Sequence, residues 1–418
     1  MKTHAINARE NTLARMEDDA IAILYSGSAP HKSLDQNYPY TPQRNFYYLT
    51  GIAEENMILM LLKGQKVNKT LLFIEKNTDH IIKWEGANMT KEEASDASGI
   101  HPDNIHYLES FDKLFNQMMN YARSPMGRPP KTLYLDLYHQ NAHTKPHALK
   151  RASYLIENYP ELSIKAINEH LSYLRMFKSD TEIEEIKTAI GHTKKGLEAI
   201  LANINKREKE HDLYADFLHA ILLSGASGTA FDTIAASGEN AAVLHYTDNA
   251  DTLDKNDMIL FDLGALHGAY ASDISRTYPI SGTYSKRQKQ IYEIVLKVNK
   301  ATIEEVRPGV TWKHLNDFSK SMLAKEAKAI GLIDDESEIT QYYYHSIGHF
   351  MGLDTHDVGH YSEALQPGMV LTIEPGLYIK DEGIGVRIED DILVTNNGYE
   401  NLSADIPKDV KDIEALIK

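Results

Sequence analysis

Four carboxylates and one histidine in the C-terminal half of the chain constrain its structure more than any other feature. They are Asp262, Asp273, His349, Glu374 and Glu389. Three of the acids stand beside strongly apolar segments, at the ends of residues 258–261 and 369–373 and next to Ile388. A carboxylate buried among such side chains is very costly unless a positive group pairs with it. Four acids converging with one histidine would offer mostly oxygen ligands and a charge of about −4, which suits two divalent cations of the Mn, Co or Mg type. The pattern therefore predicts a two-metal hydrolase.

The length and composition of the chain predict two domains. At 418 residues it is too long for one ordinary core, and 42% of its residues are apolar, which is enough to bury two. In the first half, apolar runs typical of buried strands alternate with helical periodicity at residues 111–121 and 148–159. The runs that predict strands are residues 21–25, 46–49, 57–62, 71–74 and 133–135. We therefore expect an α/β domain over residues 1–172.

The second domain is expected to begin at residue 173 and to open with a long helix. Ser179 and Glu182 have the spacing of a capping box, and apolar residues then recur at helical spacing up to about Ile204. Further helices are predicted at residues 213–223, 286–306 and 312–331, and strands at residues 257–263, 268–278, 368–374 and 384–395. Because helices alternate with hairpin-like strand pairs and not with βαβ units, residues 173–418 should form an α+β domain with a curved antiparallel sheet.

Net charge and the absence of cysteine exclude several classes of function. The 60 acidic residues outnumber the 44 basic ones and give a net charge of −16, which argues against a nucleic acid or an anionic membrane as partner. No cysteine is present, so disulfides, thiolate metal sites and a cysteine nucleophile are excluded. Residues 1–20 lack the apolar segment of a secretion signal, and no apolar run has the length of a membrane span. We expect a cytoplasmic protein.

The spacing of the first two acids predicts that they share a surface. Asp273 follows Asp262 by 11 residues, with a glycine-containing turn at residues 264–268 between them, so a hairpin could bring both carboxylates to one face. Glu389 should share a strand face with Arg387, whose guanidinium would keep the carboxylate ionised. Taken alone, however, an Asp-turn-Asp hairpin is more often a solvated loop than a site.

Three further histidines are candidates for the same site. His345 and His349 have the i, i+4 spacing of a helical zinc pair, but the motif lacks its glutamate and contains Gly348, so a glycine-rich loop or strand is the alternative. His356 and His245 stand in polar segments. The chain contains 19 histidines, and composition alone favours a surface or structural role for each of them.

Five blocks of sequence enclose these residues in a fixed order: residues 238–249, 261–277, 348–359, 365–378 and 385–391. Their sequences resemble the aminopeptidase P and prolidase branch of the pita-bread metallopeptidases. In the first domain, residues 38–40 and 45–51 are similar to the N-terminal domain of bacterial aminopeptidase P, so the resemblance covers nearly the whole chain. It implies a pita-bread catalytic domain preceded by a smaller α/β domain, and hydrolysis of the N-terminal Xaa-Pro bond of peptides.

The resemblance also implies a set of metal ligands. Asp262 would chelate one divalent metal, and Asp273 and Glu389 would bridge both. His349 and Glu374 would complete the second site. A hydroxide held between the two ions would be the nucleophile. Mn²⁺ is the expected metal, with Co²⁺ or Zn²⁺ as alternatives.

Roles in catalysis are implied for five residues. Glu374 would carry a proton from the nucleophilic water toward the leaving group. His245 and His356 would stabilise the tetrahedral intermediate. His345 would line the pocket for the proline of the substrate, and Arg387 would support the bridging Glu389.

Other functions are still open at this level. A prolidase is the main alternative, because prolidases commonly carry glycine at the position of Gly348, where many aminopeptidases P carry serine. A creatinase-like enzyme shares the fold without metals but should lack the five ligands, all of which are present here. A non-catalytic binding protein of the same fold should likewise have lost ligands.

A subunit contact is implied at one tryptophan. Trp84 is similar in position to an aromatic residue that a neighbouring subunit contributes in this family; a core or edge aromatic of the first domain is the alternative. The family resemblance implies a homodimer or homotetramer.

Overall fold

The computed structural model describes residues 1–65, 67–139 and 143–417. The chain divides into two compact units, Met1–Leu174 and Arg175–Lys418. The expected domain limits, residues 1–172 and 173–418, stay a prediction about which segments fold independently. Within the described ranges, no helix is long and apolar enough to cross a membrane.

The first unit is built on a mixed sheet. Its strands are β1 (Ala20–Tyr25), β2 (His31–Ser33), β3 (Gln36–Asn37), β4 (Ile58–Lys63), β5 (Asn68–Ile74), β6 (Ile105–Tyr107), β7 (Thr132–Leu135) and β8 (Ser163–Ala166). Its helices are α1 (Lys2–Arg15), α2 (Arg44–Thr50), α3 (Asp79–Trp84), α4 (Lys91–Ser98), α5 (Phe111–Met118), α6 (His147–Arg151), α7 (Ser153–Asn158) and α8 (Asn168–Arg175), of which the last ends at the first residue of the second unit. The sheet order is β6-β5-β4-β1-β7-β8; β4 is antiparallel to β1 and β5, and β7 is parallel to β1 and β8. The predicted α/β character is confirmed.

One predicted strand of this unit is wrong. Residues 46–49 lie in the helix α2, which ends at Gly51 in the left-handed conformation with φ +69°. The side chains of this short helix are buried almost throughout, so no polar face reveals its 3.6-residue period. A run of four apolar residues fits a buried strand and a buried helical turn equally well.

Trp84 is a surface residue. It ends α3, its side chain is 78% exposed, and its ring stacks on that of His80 at a centroid distance of 5.7 Å. It is therefore not a core aromatic of the first unit. The role at a subunit contact stays a prediction.

The second unit combines long helices with short strands. Its helices are α9 (Asp180–Asn203), α10 (Glu210–Leu223), α11 (Lys286–Glu304), α12 (Trp312–Ala329) and α13 (Val410–Leu416). Its strands are β9 (Gly228–Thr229), β10 (Ile234–Ser237), β11 (Met258–Leu263), β12 (Ala265–His267), β13 (Tyr270–Ala271), β14 (Ile274–Pro279), β15 (Val370–Ile373), β16 (Gly376–Ile379), β17 (Ile384–Arg387), β18 (Asp390–Thr395) and β19 (Gly398–Asn401). The capping box that opens α9 forms as predicted, with the Ser179 and Glu182 side chains each bound to the other residue's backbone N–H.

The strands of the second unit pair in antiparallel fashion wherever the structure describes them. The sheet orders are β10-β11-β14, β13-β12-β9, β15-β18-β19 and β16-β17. The predicted α+β class with antiparallel sheets is confirmed. One hydrophobic cluster packs the inner faces of α11, α12, β15 and β18, with Ile303, Trp312, Leu315, Phe350, Leu371 and Ile392 at its centre. Each such buried side chain contributes about 1.5–3 kcal/mol to folding, and the cluster supports the strands that carry the candidate site.

Candidate metal centre

Two of the predicted ligands stand at a gap in a long hairpin. β15 pairs with β18 and β16 pairs with β17 in one continuous register, interrupted where Glu374 and Pro375 face Ile388 and Glu389. Pro375 has no N–H to donate to the ladder, and its carbonyl accepts from Ile388 at 3.3 Å. Glu374 and Glu389 lie opposite each other directly beyond the last pair of the β15–β18 ladder.

The first two acids come from a second antiparallel pair. Asp262 lies in β11 opposite Ser275 of β14. Asp273 stands two residues before Ser275, in the break between β13 and β14, so its side chain points to the same face as those of Ser275 and Asp262. The shared face is the one that the spacing of the two acids predicts. The turn expected at residues 264–268 is wrong, because Ala265–His267 forms the strand β12 and the chain turns at residues 268–269.

His349 is held beside the strand that leads to Glu374. Its backbone exchanges hydrogen bonds with Thr372, whose N–H donates to the His349 carbonyl at 2.9 Å. The ring Nδ1 lies 3.0 Å from the Phe350 carbonyl and must donate to it, so Nε2 carries the free lone pair. That Nε2 lies 3.4 Å from Asp273 Oδ2 and 3.8 Å from Glu374 Oε1.

The five side chains line one cavity of about 430 Å³. Candidate ligand atoms of Asp273, His349 and Glu389 all lie within 4.8 Å of one another. Asp273, His349 and Glu389 are buried, and the side chains of Asp262 and Glu374 are each 17% exposed. The structure thus brings together all five residues that the sequence singles out.

Unpartnered oxygen atoms test whether cations fit this cavity. Among the described residues, Asp262 Oδ1, Asp273 Oδ1 and Glu389 Oε1 are buried without a hydrogen-bond partner. A buried carboxylate oxygen with no donor is strongly unfavourable unless an ion satisfies it. Oxygen-rich donors with one imidazole suit Mn²⁺-like cations, so the residues present fit divalent metals.

Burial raises the pKa values of three of these carboxylates. For Asp273 and for Glu374, burial and then the nearby charge of Glu389 raise the pKa well above its ordinary value. Burial, followed by the charge of Asp262, raises the pKa of Glu389 to about 7. Without cations the group therefore competes for protons, and bound cations would displace them.

Arg387 contacts a different ligand from the one expected. Its Nη2 donates to Asp262 Oδ2 at 2.7 Å. It reaches Glu389 only through Ser275, whose Oγ accepts from Arg387 Nε at 2.8 Å and lies 2.8 Å from Glu389 Oε2. Arg387 and Glu389 nevertheless line the same cavity, as alternation along the strand predicts. Burial outweighs the effect of the guanidinium on the pKa of Glu389.

The other predicted histidines also line the cavity. His245 and His356 are exposed, and the His356 ring meets that of His349 edge-on at a centroid distance of 4.1 Å. His345 lies in an irregular segment, so the helical zinc pair is wrong and the glycine-rich loop is right. Burial, followed by the charge of Arg387, lowers the pKa of His345 to about 4, so its ring is neutral near pH 7.

Two polar residues of the site were missed in the sequence. Tyr378 is buried, and its hydroxyl accepts from Arg387 Nη1 at 3.0 Å and lies 2.8 Å from His345 Nε2. Ser275 connects Arg387 to Glu389, as described above. A signal for Ser275 exists, because it alternates with Asp273 along one strand face. For Tyr378 no local pattern distinguishes a site residue from a core tyrosine.

Gly348 is required by a close approach of backbone. A Cβ atom at this position would lie 2.0 Å from the Thr372 carbonyl oxygen, on the segment that also binds the His349 backbone. Any side chain would therefore push the loop away from the strand. This packing explains the glycine without reference to substrate preference.

Both parts of the chain match known sequence families. Residues 184–396 match metallopeptidase family M24, and residues 5–126 match the aminopeptidase P N-terminal domain. The chain is 32% identical to the Xaa-Pro aminopeptidase of Haemophilus influenzae, covering 98% of this chain and 96% of that protein. It is 29% identical to the Xaa-Pro aminopeptidase of Escherichia coli, with the same coverage.

Solved structures agree with these matches. A Bacillus anthracis protein proposed to be an aminopeptidase P is 44% identical with a TM-score of 0.94, covering 100% of this chain and 98% of that one. Zinc-substituted E. coli aminopeptidase P in complex with product is 27% identical with a TM-score of 0.89, at the same coverage. The chain therefore belongs to metallopeptidase family M24, with an N-terminal domain of the aminopeptidase P type.

Proposed function

We propose that this protein is a metallo-aminopeptidase that hydrolyses the bond between the first residue of a peptide and a proline at the second position. The observation that carries the proposal is that the five candidate ligands and three further histidines, His245, His345 and His356, line one cavity. Its relatives named as Xaa-Pro aminopeptidases, aligned over nearly the whole chain, support the same activity.

Two divalent cations are the proposed cofactors. Asp262, Asp273, His349, Glu374 and Glu389 would hold the ions. When bound, the cations offset the carboxylate charge, polarise the scissile carbonyl and lower the pKa of a water molecule enough for attack near neutral pH. Mn²⁺ is the proposed metal because the donors are mostly carboxylate oxygens.

Glu374 is the proposed carrier of the proton. Its carboxylate lines the cavity and lies 3.8 Å from both His349 Nε2 and His345 Nδ1. As a base it accepts a proton from the attacking water. As an acid it gives that proton to the prolyl nitrogen when the C–N bond breaks.

His245 and His356 are the proposed donors to the scissile carbonyl oxygen. Both rings are exposed at the cavity, where they can meet a substrate. Partial desolvation of the His356 ring by the cavity wall, followed by the charge of His349, lowers its pKa, so a neutral ring with one N–H faces the developing oxyanion. A donor aimed at developing charge typically contributes about 3 to 4 kcal/mol to turnover.

Selection of proline is proposed to depend on shape. The Xaa-Pro bond is a tertiary amide with no N–H to bind, and attack at its carbonyl does not need one. The His345 ring lies edge-on to Tyr343 at a centroid distance of 4.8 Å and is hydrogen-bonded to Tyr378, so it offers a fixed wall for the prolyl ring. Arg387 keeps this wall in place by donating to the Tyr378 hydroxyl and to Asp262.

A product assay tests the activity. Purified protein with added Mn²⁺ is given an Xaa-Pro dipeptide and the matched Xaa-Pro-Yaa tripeptide, and an Xaa-Ala-Yaa tripeptide serves as control. We expect release of the first residue from the proline tripeptide, with little release from the alanine control. Preference for the dipeptide would indicate a prolidase instead, and no hydrolysis of any peptide would refute the proposal.

A homodimer or homotetramer in the cytoplasm completes the proposal. The exposed Trp84 on α3 supports a contact with another subunit. Light scattering of the wild-type protein and of a Trp84→Ala variant tests this part, since a lower mass for the variant alone would locate the contact.

A further inference from the structure

A single buried asparagine contacts the segments that carry both glutamates of the site. Asn299 lies in α11 and its side chain is fully buried. Its Nδ2 donates to the Ile373 carbonyl at 3.2 Å and to the Ile388 carbonyl at 3.1 Å. These two residues directly precede Glu374 and Glu389. Asn299 therefore links the two strand segments of the hairpin at the gap.

The peptide units that enter the glutamates are held at both ends. The Glu374 N–H donates to the Ile347 carbonyl at 2.8 Å, and the Glu389 N–H donates to the Ser275 carbonyl at 3.0 Å. The carbonyl ends of the same two units are the groups bound by Asn299. Because a peptide unit is planar, fixing its N–H and C=O fixes the N–Cα bond of the following residue and so restricts where its side chain can lie.

Lys408 determines which way the asparagine amide points. Its Nζ lies 2.8 Å from Asn299 Oδ1 and 2.6 Å from Asp390 Oδ2. An ammonium only donates and a carbonyl only accepts, so Oδ1 must face Lys408 and Nδ2 must face the two carbonyls. Lys408 lies beyond residues 184–396, the segment that matches family M24.

We propose that Asn299 and Lys408 are positioning residues that hold Glu374 and Glu389 at the separation needed to share metal ions. The inference rests on the proposed function, because it assigns a task around that metal centre. A leucine at position 299 would fill a similar volume but remove the side-chain donor from two buried carbonyls. The strands would then shift to satisfy these carbonyls elsewhere, and the glutamates would move with them.

The test compares metal binding by three variants of the full chain. Asn299→Leu removes the link, Lys408→Met removes the ammonium that orients it, and Lys300→Met is the control. Lys300 is the next residue of α11 and forms an exposed ion pair with Asp409 at 2.7 Å. Mn²⁺ dissociation constants are measured by calorimetry after chelation, together with kcat, KM and urea unfolding of the metal-free protein.

We expect Asn299→Leu to weaken Mn²⁺ binding by about 10-fold or more, as is typical when a group that orients a ligand is lost. Lys408→Met should weaken binding less but in the same direction, and Lys300→Met should leave it unchanged. Unchanged Mn²⁺ affinity with a lower unfolding midpoint in the first two variants would overturn the inference and leave both residues as purely structural.

Two further arms keep the test decisive. If Asn299→Leu does not fold, Asn299→Gln, which keeps the amide but displaces it by one methylene, is measured beside Lys408→Met with the same expectation. A wild-type protein that binds no Mn²⁺ would refute the proposed function before any variant is compared. Wild-type binding with equal binding by the variants would refute the positioning inference alone.

Discussion

Glu389 and Asp390 are neighbours in sequence, both buried, and opposite in character. Every side-chain oxygen of Asp390 has a donor: Arg276 and Ser403 reach Oδ1 at 2.9 Å each, and Lys408 reaches Oδ2 at 2.6 Å. Burial alone would raise the pKa of Asp390, but Arg276 and Lys408 hold it below its ordinary value. Glu389 has one hydroxyl partner and one oxygen with none among the described residues, and burial raises its pKa to about 7.

The contrast separates two uses of buried charge. A carboxylate whose donors are all supplied by the chain is a structural group, stable when ionised. A carboxylate left without donors destabilises the chain until something external supplies positive charge. Because both groups have the same depth and the same local sequence, burial alone cannot identify a metal ligand. An unpartnered oxygen is also not sufficient, since among the described residues Asp391 Oδ1 is buried without a partner too, but Glu389 combines such an oxygen with a place in the wall of the cavity.

The largest effect on activity is expected from Asp273→Asn, which changes one of the carboxylates that lack donors from the chain. A neutral amide cannot offset two cations, so activity with Mn²⁺ should fall by at least about 1,000-fold. In chelator at pH 7, the free energy of unfolding of this variant should exceed that of the wild type by up to about 1 to 3 kcal/mol, because one buried acidic group has been removed. Peptidase assays and urea unfolding measure both. Full activity of metal-free Asp273→Asn protein would contradict the two-metal mechanism.

Asp390→Asn should show the reverse pattern. Loss of the carboxylate leaves Arg276 and Lys408 buried without their counter-charge, which typically costs about 3 to 5 kcal/mol. Urea unfolding should show this loss with or without Mn²⁺. Glu382→Gln is a matched control, since Glu382 pairs with Arg287 at 2.7 Å on the surface and should contribute less than about 1 kcal/mol. Equal stability of Asp390→Asn and the wild type would remove the distinction drawn between the two carboxylates.

His356→Ala tests a residue that contacts a predicted ligand but is outside the ligand set. It should keep both metals and lose about 100- to 1,000-fold in kcat, because a donor to the developing oxyanion is gone. His349→Ala, by contrast, should lose metal from the second site. Metal analysis, kcat and thermal unfolding are measured on the same preparations. A normal kcat with reduced stability would show that His356 only supports the turn at residues 354–359.

The smallest effect concerns pH and the metal-free protein. The pKa of Glu389 rises from its ordinary 4.5 to about 7 on folding, so between these values the folded state binds more protons than the unfolded state. Its contribution is fully present below about pH 4.5 and is lost as the pH rises through 7, a loss of about 1 to 3 kcal/mol. Saturating Mn²⁺ should abolish this decline. The free energy of unfolding is measured with urea between pH 4.5 and 7.5, in chelator and with Mn²⁺. If the two plots against pH run parallel, the pKa of Glu389 does not cause the decline.

Features that depend on neighbours in sequence could be predicted. The capping box of α9, the long helices and the antiparallel pairing that carries Asp262 and Asp273 all have local signals, namely cap residues, periodicity and turn spacing. The acids beside apolar runs could also be assigned to the site, because an apolar run indicates where a buried strand ends and so where the acid at its end lies. Where local signals were ambiguous, as in α2, the prediction was wrong.

Contacts between distant segments could not be predicted. Asn299 is more than 70 residues from the strands it links, and its position on α11 looks like any polar residue of an amphipathic helix. The direct bond of Arg387 to Asp262 joins two hairpins, and neighbours along one strand suggested only its link to Glu389. Such contacts depend on how whole elements pack, which a single sequence does not encode in any short pattern.

The gap at Pro375 makes the stability of the folded protein depend on the supply of cations. Between the two ladders the strands are joined by a long hydrogen bond of 3.3 Å, from the Ile388 N–H to the Pro375 carbonyl, and the like charges of Glu374 and Glu389 favour separation beside it. An ion bound by both glutamates would link the two strands and would stabilise the folded state in proportion to the logarithm of its free concentration. In a cell short of the metal, we expect this stretch to open more often and the protein to be degraded sooner. Abundance would then follow metal availability without any change in synthesis.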